Sequence, residues 1–244
     1  MKNIYYKTNE IKDFFSRERI SWDQFYYSER KMIDLYFRNV RKMPNILDIG
    51  CGCGGLGLAL DSKYKINSYT GIEINEEAAY YAMENNKNQS IIHGDFLDLS
   101  QKNLVKSNYD LVFSLSCFDW QLNFYPMLKN SWQTVNEGGS LIISLRLTET
   151  LSVNDISKSY QYINYAGEEK GEVAPYVVLN ANEIISTFID LGIKDIKGYG
   201  FYGNPSKTAV TPFKKICFTV FLLSKTSDNL ENFDVDIPIK TKYF

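Results

Sequence analysis

Apolar and polar positions along the chain settle into a regular alternation from residue 45 onward. Ile46, Leu47 and Ile49 form a short apolar run interrupted by Asp48, a pattern that reads as a buried strand. Glycine then takes over at Gly50, Gly52, Gly54 and Gly55, and Leu56, Leu58, Ala59 and Leu60 follow with the spacing of a helix. Further strands are predicted at 68–74, 90–93, 109–115 and 141–147. Helices are predicted over 76–85 and through Leu128, Trp132 and Val135, with Gly138-Gly139 stopping the second of these. Strands that alternate with helices predict an α/β fold around a parallel sheet.

The flanks are less periodic. Ile11, Phe14 and Phe15, then Met32, Ile33, Leu35, Tyr36 and Val40, recur at helical spacing, so residues 1–43 are expected to form helices. Trp22, Phe25 and Tyr26 lie between them, either packing an amphipathic helix or capping a pocket. Residues 148–173 hold few sustained apolar periods and read as an insertion near that pocket. A helix is expected over 181–191 and strands over 193–202 and 215–224, joined by a long connection at 203–212. Residues 228–244 read as a tail.

A strand, a glycine-rich turn and a helix make the front half of a nucleotide-binding βα unit. Leu56 after Gly55 excludes a P-loop, which needs Lys and Ser or Thr there. Gly50, Gly52 and Gly55 also satisfy a dinucleotide fingerprint, so the loop by itself leaves NAD open. Glu73 ends the second strand about 20 residues beyond the loop, where a carboxylate can accept from two ribose hydroxyls.

The string Asp48-x-Gly50-x-Gly52-x-Gly54 resembles the first motif of the class I S-adenosylmethionine (SAM) methyltransferases. Glu73, then Asp95-Phe96 after the third strand, then Tyr109-Asp110 opening the fourth, extend the resemblance in order over about residues 44–147. It implies an α/β fold with a single Rossmann-like, doubly wound, seven-stranded sheet, order 3-2-1-4-5-7-6 with the last strand antiparallel, beneath an N-terminal helical cap. The whole chain would then be one domain: cap at 1–43, cofactor core at 44–147, acceptor side and final strands at 148–227, tail at 228–244. It also implies SAM as cofactor, held by Asp48, Gly50, Cys51, Gly52, Gly54, Glu73, Ile74, Asp95, Phe96 and Ser114. Asp95 would accept from the adenine amino group and Phe96 would flank the ring.

The methyl acceptor is expected beside the end of the fourth strand. Asp119 is the carboxylate chosen there as base or acceptor-orienting group, although it also suits the N-cap of the next helix. Trp22, Tyr26, Trp120 and Tyr165 are expected to bind the acceptor; Tyr160, Tyr162 and Asn164 belong to the same cluster. The chain reads Ser114-Leu115-Ser116-Cys117 where enzymes acting on DNA bases or protein glutamine carry an Asn/Asp-Pro-Pro-aromatic signature.

A net charge of −2 offers no global field for nucleic acid. No apolar run approaches the ~20 residues of a membrane helix, and the polar start lacks a signal peptide pattern, so a cytoplasmic protein is expected. One histidine, and cysteines with no second metal-ligand pair, point to no metal and disfavour His-based catalysis. The expected function is SAM-dependent methylation of a small polar molecule, a sugar or sugar-nucleotide hydroxyl first and a small amine second. A NAD-dependent Rossmann enzyme and a non-catalytic SAM-binding module are the rivals.

Overall fold

A computed structural model describes residues 5–105, 108–164, 166–226 and 231–243. The chain opens with α1 (Glu10–Phe15), a 3-10 turn (Trp22–Gln24) and α2 (Tyr27–Asn39). Alternating units follow: β1 (Asn45–Ile49), α3 (Gly55–Lys63), β2 (Ser68–Glu73), α4 (Glu76–Asn85), β3 (Ser90–His93), α5 (Phe96–Gln101) and β4 (Tyr109–Ser114). A second 3-10 turn (Phe118–Trp120) leads to α6 (Phe124–Thr134) and β5 (Val135–Thr148). The remainder is β6 (Tyr160–Tyr162), β7 (Val173–Pro175), β8 (Leu179–Asn180), α7 (Ala181–Asp190), β9 (Asp195–Gly203), β10 (Ala209–Val210), β11 (Ile216–Ser224) and β12 (Asn232–Asp236).

The main sheet runs β12-β9-β11-β5-β4-β1-β2-β3, with β8 pairing β5 off the path. Strands β3, β2, β1, β4 and β5 are mutually parallel, and β11 slips antiparallel between β5 and β9. Read as 3-2-1-4-5-7-6, this is the predicted doubly wound order.

β4 is buried at every position, as befits a central parallel strand covered on both faces. Its side chains alternate between two cores. Leu111 and Phe113 join Ile33, Tyr36, Leu56 and Leu60 under α2 and α3. Val112 joins Leu128, Phe188 and Phe221 on the opposite face. Each fully buried side chain of this size contributes about 1.5–3 kcal/mol.

Three expectations need correction. Helix α6 stops at Thr134, and Val135 is already extended, opening β5. Gly138-Gly139 therefore ends no helix. It lies in an irregularity where β4 and β5 change register between Tyr109 and Leu111, and a Cβ on Gly139 would stand 2.9 Å from the Asp110 carbonyl oxygen. The tail carries β12, which pairs parallel with β9 and widens the sheet. The insertion and the 203–212 connection are also structured: β10, β6 and β7 form a second, three-stranded sheet.

This small sheet and the N-terminal cap meet. Ile11 of the cap packs with Cys53 of the glycine loop, Ala78 of α4, and Ile163 and Ala174 of the small sheet region. The Glu172 carboxylate accepts from the Lys7 and Thr8 N–H groups at 3.0 and 2.9 Å. The Asn75 amide donates to the carbonyls of Tyr6 and Thr8. Residues 5–15 are thereby held across the C-terminal ends of β1 and β2.

Candidate active site

The glycine loop turns through left-handed backbone at Gly50 (φ +77°) and Gly52 (φ +56°). A side chain at Gly50 would also place its Cβ 2.6 Å from the Cys117 sulfur. Gly55 has a different reason to be glycine, because the Arg19 backbone of the cap lies against it; a Cβ there would come within 2.1 Å of the Arg19 carbonyl oxygen.

A cleft opens above this loop. Gly50, Gly52, Glu73, Ile74, Asp95 and Phe96 line it, with Ile11, Phe15, Cys117 and Trp120 on the cap and acceptor sides. Glu73 is buried and accepts from the Gly52 and Asn75 N–H groups, both at 2.8 Å. Burial raises its pKa, while these backbone hydrogen bonds oppose the rise. Each carboxylate oxygen retains a second lone pair for a ligand hydroxyl. Asp95 accepts from the Leu97 N–H at 2.9 Å and caps α5, which aligns it with Phe96 at the cleft wall.

Asp48 and Cys51 lie on a small adjoining cavity, together with Arg19, Phe25 and Gly50. Burial pushes the Asp48 pKa up to about 7; the Tyr69 hydroxyl, which donates to it at 2.5 Å, and nearby Arg19 oppose the shift. Arg19 itself is paired in bidentate fashion with the buried Glu29, at 2.8 and 3.0 Å. A cleft walled by Ile11, Phe15, Ile72, Ile74 and Phe96, carrying Glu73 and Asp95, with buried Asp48 on the adjoining cavity, fits a nucleoside bearing an ammonium group. The residues present therefore suit SAM.

On the other side, two adjoining cavities of about 460 and 80 Å³ share Tyr26, Ser116, Arg146 and Ser206. The larger shares Ile11, Phe15, Ser116 and Trp120 with the cofactor cleft. Ser116 lines all three. Its φ of +54° is unusual for a residue with a side chain, and the Ser144 hydroxyl accepts from its N–H at 2.6 Å. The Cys117 thiol is pushed up to about 12 by burial, so it stays protonated at neutral pH.

Asp119 is buried in the 3-10 turn and does not cap α6, whose N-cap is Asn123. Its Oδ2 lies 3.0 Å from Arg146 Nε, and Arg146 Nη1 donates to the Asp119 carbonyl at 3.0 Å. The guanidinium stacks 3.6 Å over the Tyr176 ring. Burial raises the Asp119 pKa and Arg146 opposes it. Trp120 is fixed by Tyr6, whose hydroxyl donates to its carbonyl at 3.1 Å and whose ring meets it edge-on.

Several expected residues stand elsewhere. Trp22 lines none of these cavities; it packs edge-on against Tyr64 with Lys63 over its face. Gly54 turns the N-terminus of α3 beside Asn86. Ser114 is buried below the cleft and donates to the Ile49 carbonyl. Tyr165 lies outside the described residues. His93 is exposed beside Tyr80. The sequence reading placed Ser116 near the acceptor but missed Arg146 and Gln161, and the cap residues Ile11 and Phe15 as cleft walls.

Residues 46–139 match the family model described as a methyltransferase domain. The chain is 27% identical over 147 residues to a malonyl-[acyl-carrier protein] O-methyltransferase of Brevibacillus brevis, covering 55% of this chain and about half (51%) of that protein. A second such enzyme, from Ilyobacter polytropus, is 24% identical over 202 residues, covering 76% of this chain and 75% of that one. Among solved structures, a possible histamine N-methyltransferase from Thermotoga maritima superposes with a TM-score of 0.51 at 17% identity, covering 89% and 95% of the two chains. Haemonchus contortus phosphoethanolamine N-methyltransferase 2, solved with SAM, gives 0.57 at 14% identity, covering 84% of this chain and 53% of that one. The stretch at residues 46–139 therefore matches a methyltransferase domain, carried on the sheet order that the resemblance to the SAM-dependent methyltransferases implied and opening onto a cleft whose residues suit SAM.

Proposed function

We propose that this chain transfers the methyl group of SAM to an oxygen or nitrogen of a small polar molecule held in the cavity beside Ser116 and Trp120. A sugar or sugar-nucleotide hydroxyl is the first choice of acceptor, and a small amine the second. The observation that carries the proposal is the shared wall. The cofactor cleft and the larger cavity meet at Ile11, Phe15, Ser116 and Trp120, beneath the N-terminal cap. Tyr26, Gln161, Tyr162, Asn164 and Thr208 give the larger cavity groups that stack on or hydrogen-bond a hydroxylated molecule.

SAM, when bound, supplies a methyl on a sulfonium already activated for displacement. What the chain contributes is position and exclusion of water. Glu73 would accept from the ribose hydroxyls, Asp95 from the adenine amino group, and Ile74 and Phe96 would flank the ring, with Asp48 toward the ammonium group. Phe15 and Trp120 line the junction of the two cavities. Asp119, paired with Arg146, serves better to orient the acceptor than to remove its proton, because the guanidinium already occupies one carboxylate oxygen.

Transfer of labelled methyl from SAM to sugar nucleotides, small amines, phenols, tRNA and a protein extract tests the reading. Labelling of the sugar nucleotides or amines is expected. Labelling confined to tRNA or protein contradicts it.

A further inference from the structure

Buried polar groups in a folded protein almost always have hydrogen-bond partners. Two on the walls of the acceptor cavities do not. Gln161 is 8% exposed and lines the larger cavity; its Oε1 is buried with no partner among the described residues. Asp119 is 6% exposed and lines the smaller one; its Oδ1 is likewise unpartnered. Among the described residues, no other side chain lining either cavity has a buried atom without a partner. Both atoms are acceptors. Each calls for a hydrogen-bond donor on whatever fills the cavity.

The charges agree. Glu10, Glu18, Arg19 and Arg146 line the larger cavity, and Glu29, Asp119 and Arg146 the smaller. Arg19 is held in bidentate fashion by Glu29. Arg146 is held by Asp119 and stacked on Tyr176. With both guanidiniums answered in this way, the lining carries a net negative charge. A third observation comes from the aromatic walls. Phe14, Phe15, Tyr26, Trp120 and Tyr162 line the larger cavity, and aromatic faces attract a cation through their quadrupole.

We infer that the methyl acceptor carries a protonated amine, received in the larger cavity by Gln161 Oε1 and the aromatic walls. Asp119 Oδ1 takes a further N–H or O–H donor of a molecule that reaches the smaller cavity. The substrate class is then a small hydroxylated or aromatic amine, and among sugars an amino sugar. The inference rests on the small-molecule reading above and selects within it. A carboxylate or phosphate, including the phosphates of a sugar nucleotide, would meet net negative walls and leave both acceptors unpartnered. A neutral alcohol could satisfy the acceptors, but would gain nothing from the charge or the aromatic faces.

The test is binding, so it does not depend on finding a turnover. Protein saturated with S-adenosylhomocysteine is titrated by calorimetry with glucosamine, ethanolamine, phenethylamine and tryptamine. Each is matched with the alcohol that replaces its amine: glucose, ethylene glycol, 2-phenylethanol and tryptophol. Gluconate and phenylpropionate serve as anions. At least one amine is expected to bind about 10- to 100-fold tighter than its alcohol, the range for a charge-assisted hydrogen bond. Gln161→Leu should weaken that amine by about 10-fold, and Gln161→Glu should tighten it by about 10-fold. Both should leave S-adenosylhomocysteine affinity within about twofold. If neither variant folds, Glu18→Gln decides; it should weaken the amine by about threefold and leave the alcohol unchanged. Tighter binding of the anions, or amine affinity indifferent to the folded variants, overturns the inference. Equal binding of amines and alcohols ends it while keeping the small-molecule reading; binding of no probe ends it too, and labelling confined to tRNA or protein then ends both. Failure of S-adenosylhomocysteine to bind counts against the cofactor reading alone, and the same titrations on the free protein then decide the amine site.

Discussion

On the side of the cleft proposed for the cofactor, the lining groups are backbone turns and strand-end carboxylates: Gly50, Gly52, Glu73 and Asp95, carried by β1 to β3 and the loops after them. On the acceptor side they are side chains drawn from the cap, the 3-10 turn, β5, β6 and the 206–208 segment. The first set is local in sequence and rests on a parallel sheet buried on both faces. The second is assembled over long chain separations and leaves Asp119 Oδ1 and Gln161 Oε1 buried without a partner among the described residues. The difference divides a general task from a particular one. Any cofactor-binding chain of this fold needs the first arrangement, whereas the second can be rebuilt for each acceptor without disturbing the core.

The largest expected effect breaks the backbone side. Gly50→Ala forces a side chain into left-handed backbone and against the Cys117 sulfur. It should cost about 3 kcal/mol of stability, from strain and overpacking together, read as a lowered denaturation midpoint. Adding Cys117→Gly should recover the packing part only. Full stability in Gly50→Ala would mean that the loop relaxes freely.

Next, Glu73→Ala should weaken SAM by about 2–4 kcal/mol, through loss of ribose hydrogen bonds and of the Gly52 and Asn75 N–H partners. Titration of a variant shown to be folded reads it directly. An unchanged dissociation constant would make Glu73 purely structural.

Asp48 sharpens the comparison through pH. Its folded pKa of about 7 lies above the unfolded value of 3.8, so the folded state binds the proton more tightly. That contribution is fully present below about pH 4 and is lost as pH rises through 7. In the free protein, Asp48→Asn should flatten this slope. At pH 8 the variant should be the more stable by on the order of 2 kcal/mol, allowing for relaxation around the buried carboxyl. Parallel stability curves for the two proteins would refute the raised pKa.

The smallest effects separate two tryptophans. Trp120→Ala should raise the acceptor KM by about 10-fold, through lost packing at the shared wall. Trp22→Ala should leave KM unchanged and lower stability by about 1 kcal/mol, since its ring meets only Tyr64 and Lys63 among the aromatic and cationic side chains described. A reversed pattern would place the acceptor under Trp22.

The same division governs what the sequence made legible. The apolar period of Ile46 to Leu60 and the spacing to Glu73 and Asp95 carried the cofactor side, because each motif lies within one βα unit. Arg146 was readable in principle: it is a charge inside the apolar run from Leu141 to Leu147, opposite Phe218 in β11, and a charge in a central strand needs a reason. Gln161 was not readable. Its strand exists only because 160–162 pairs with both 173–175 and 209–210, and no local period reports such pairing. Val135 was assigned to the helix because its apolar spacing fits both neighbours. β12 was readable in principle, because Phe233 and Val235 alternate with Asn232, Asp234 and Asp236 and pack partly buried against the main core.

Titration calorimetry of the purified protein with SAM, S-adenosylhomocysteine, NAD and ATP tests the central claim most directly, because the glycine spacing admits more than one nucleotide. The predicted result is saturable binding of SAM and S-adenosylhomocysteine, with NAD and ATP much weaker. NAD binding without SAM binding would contradict it.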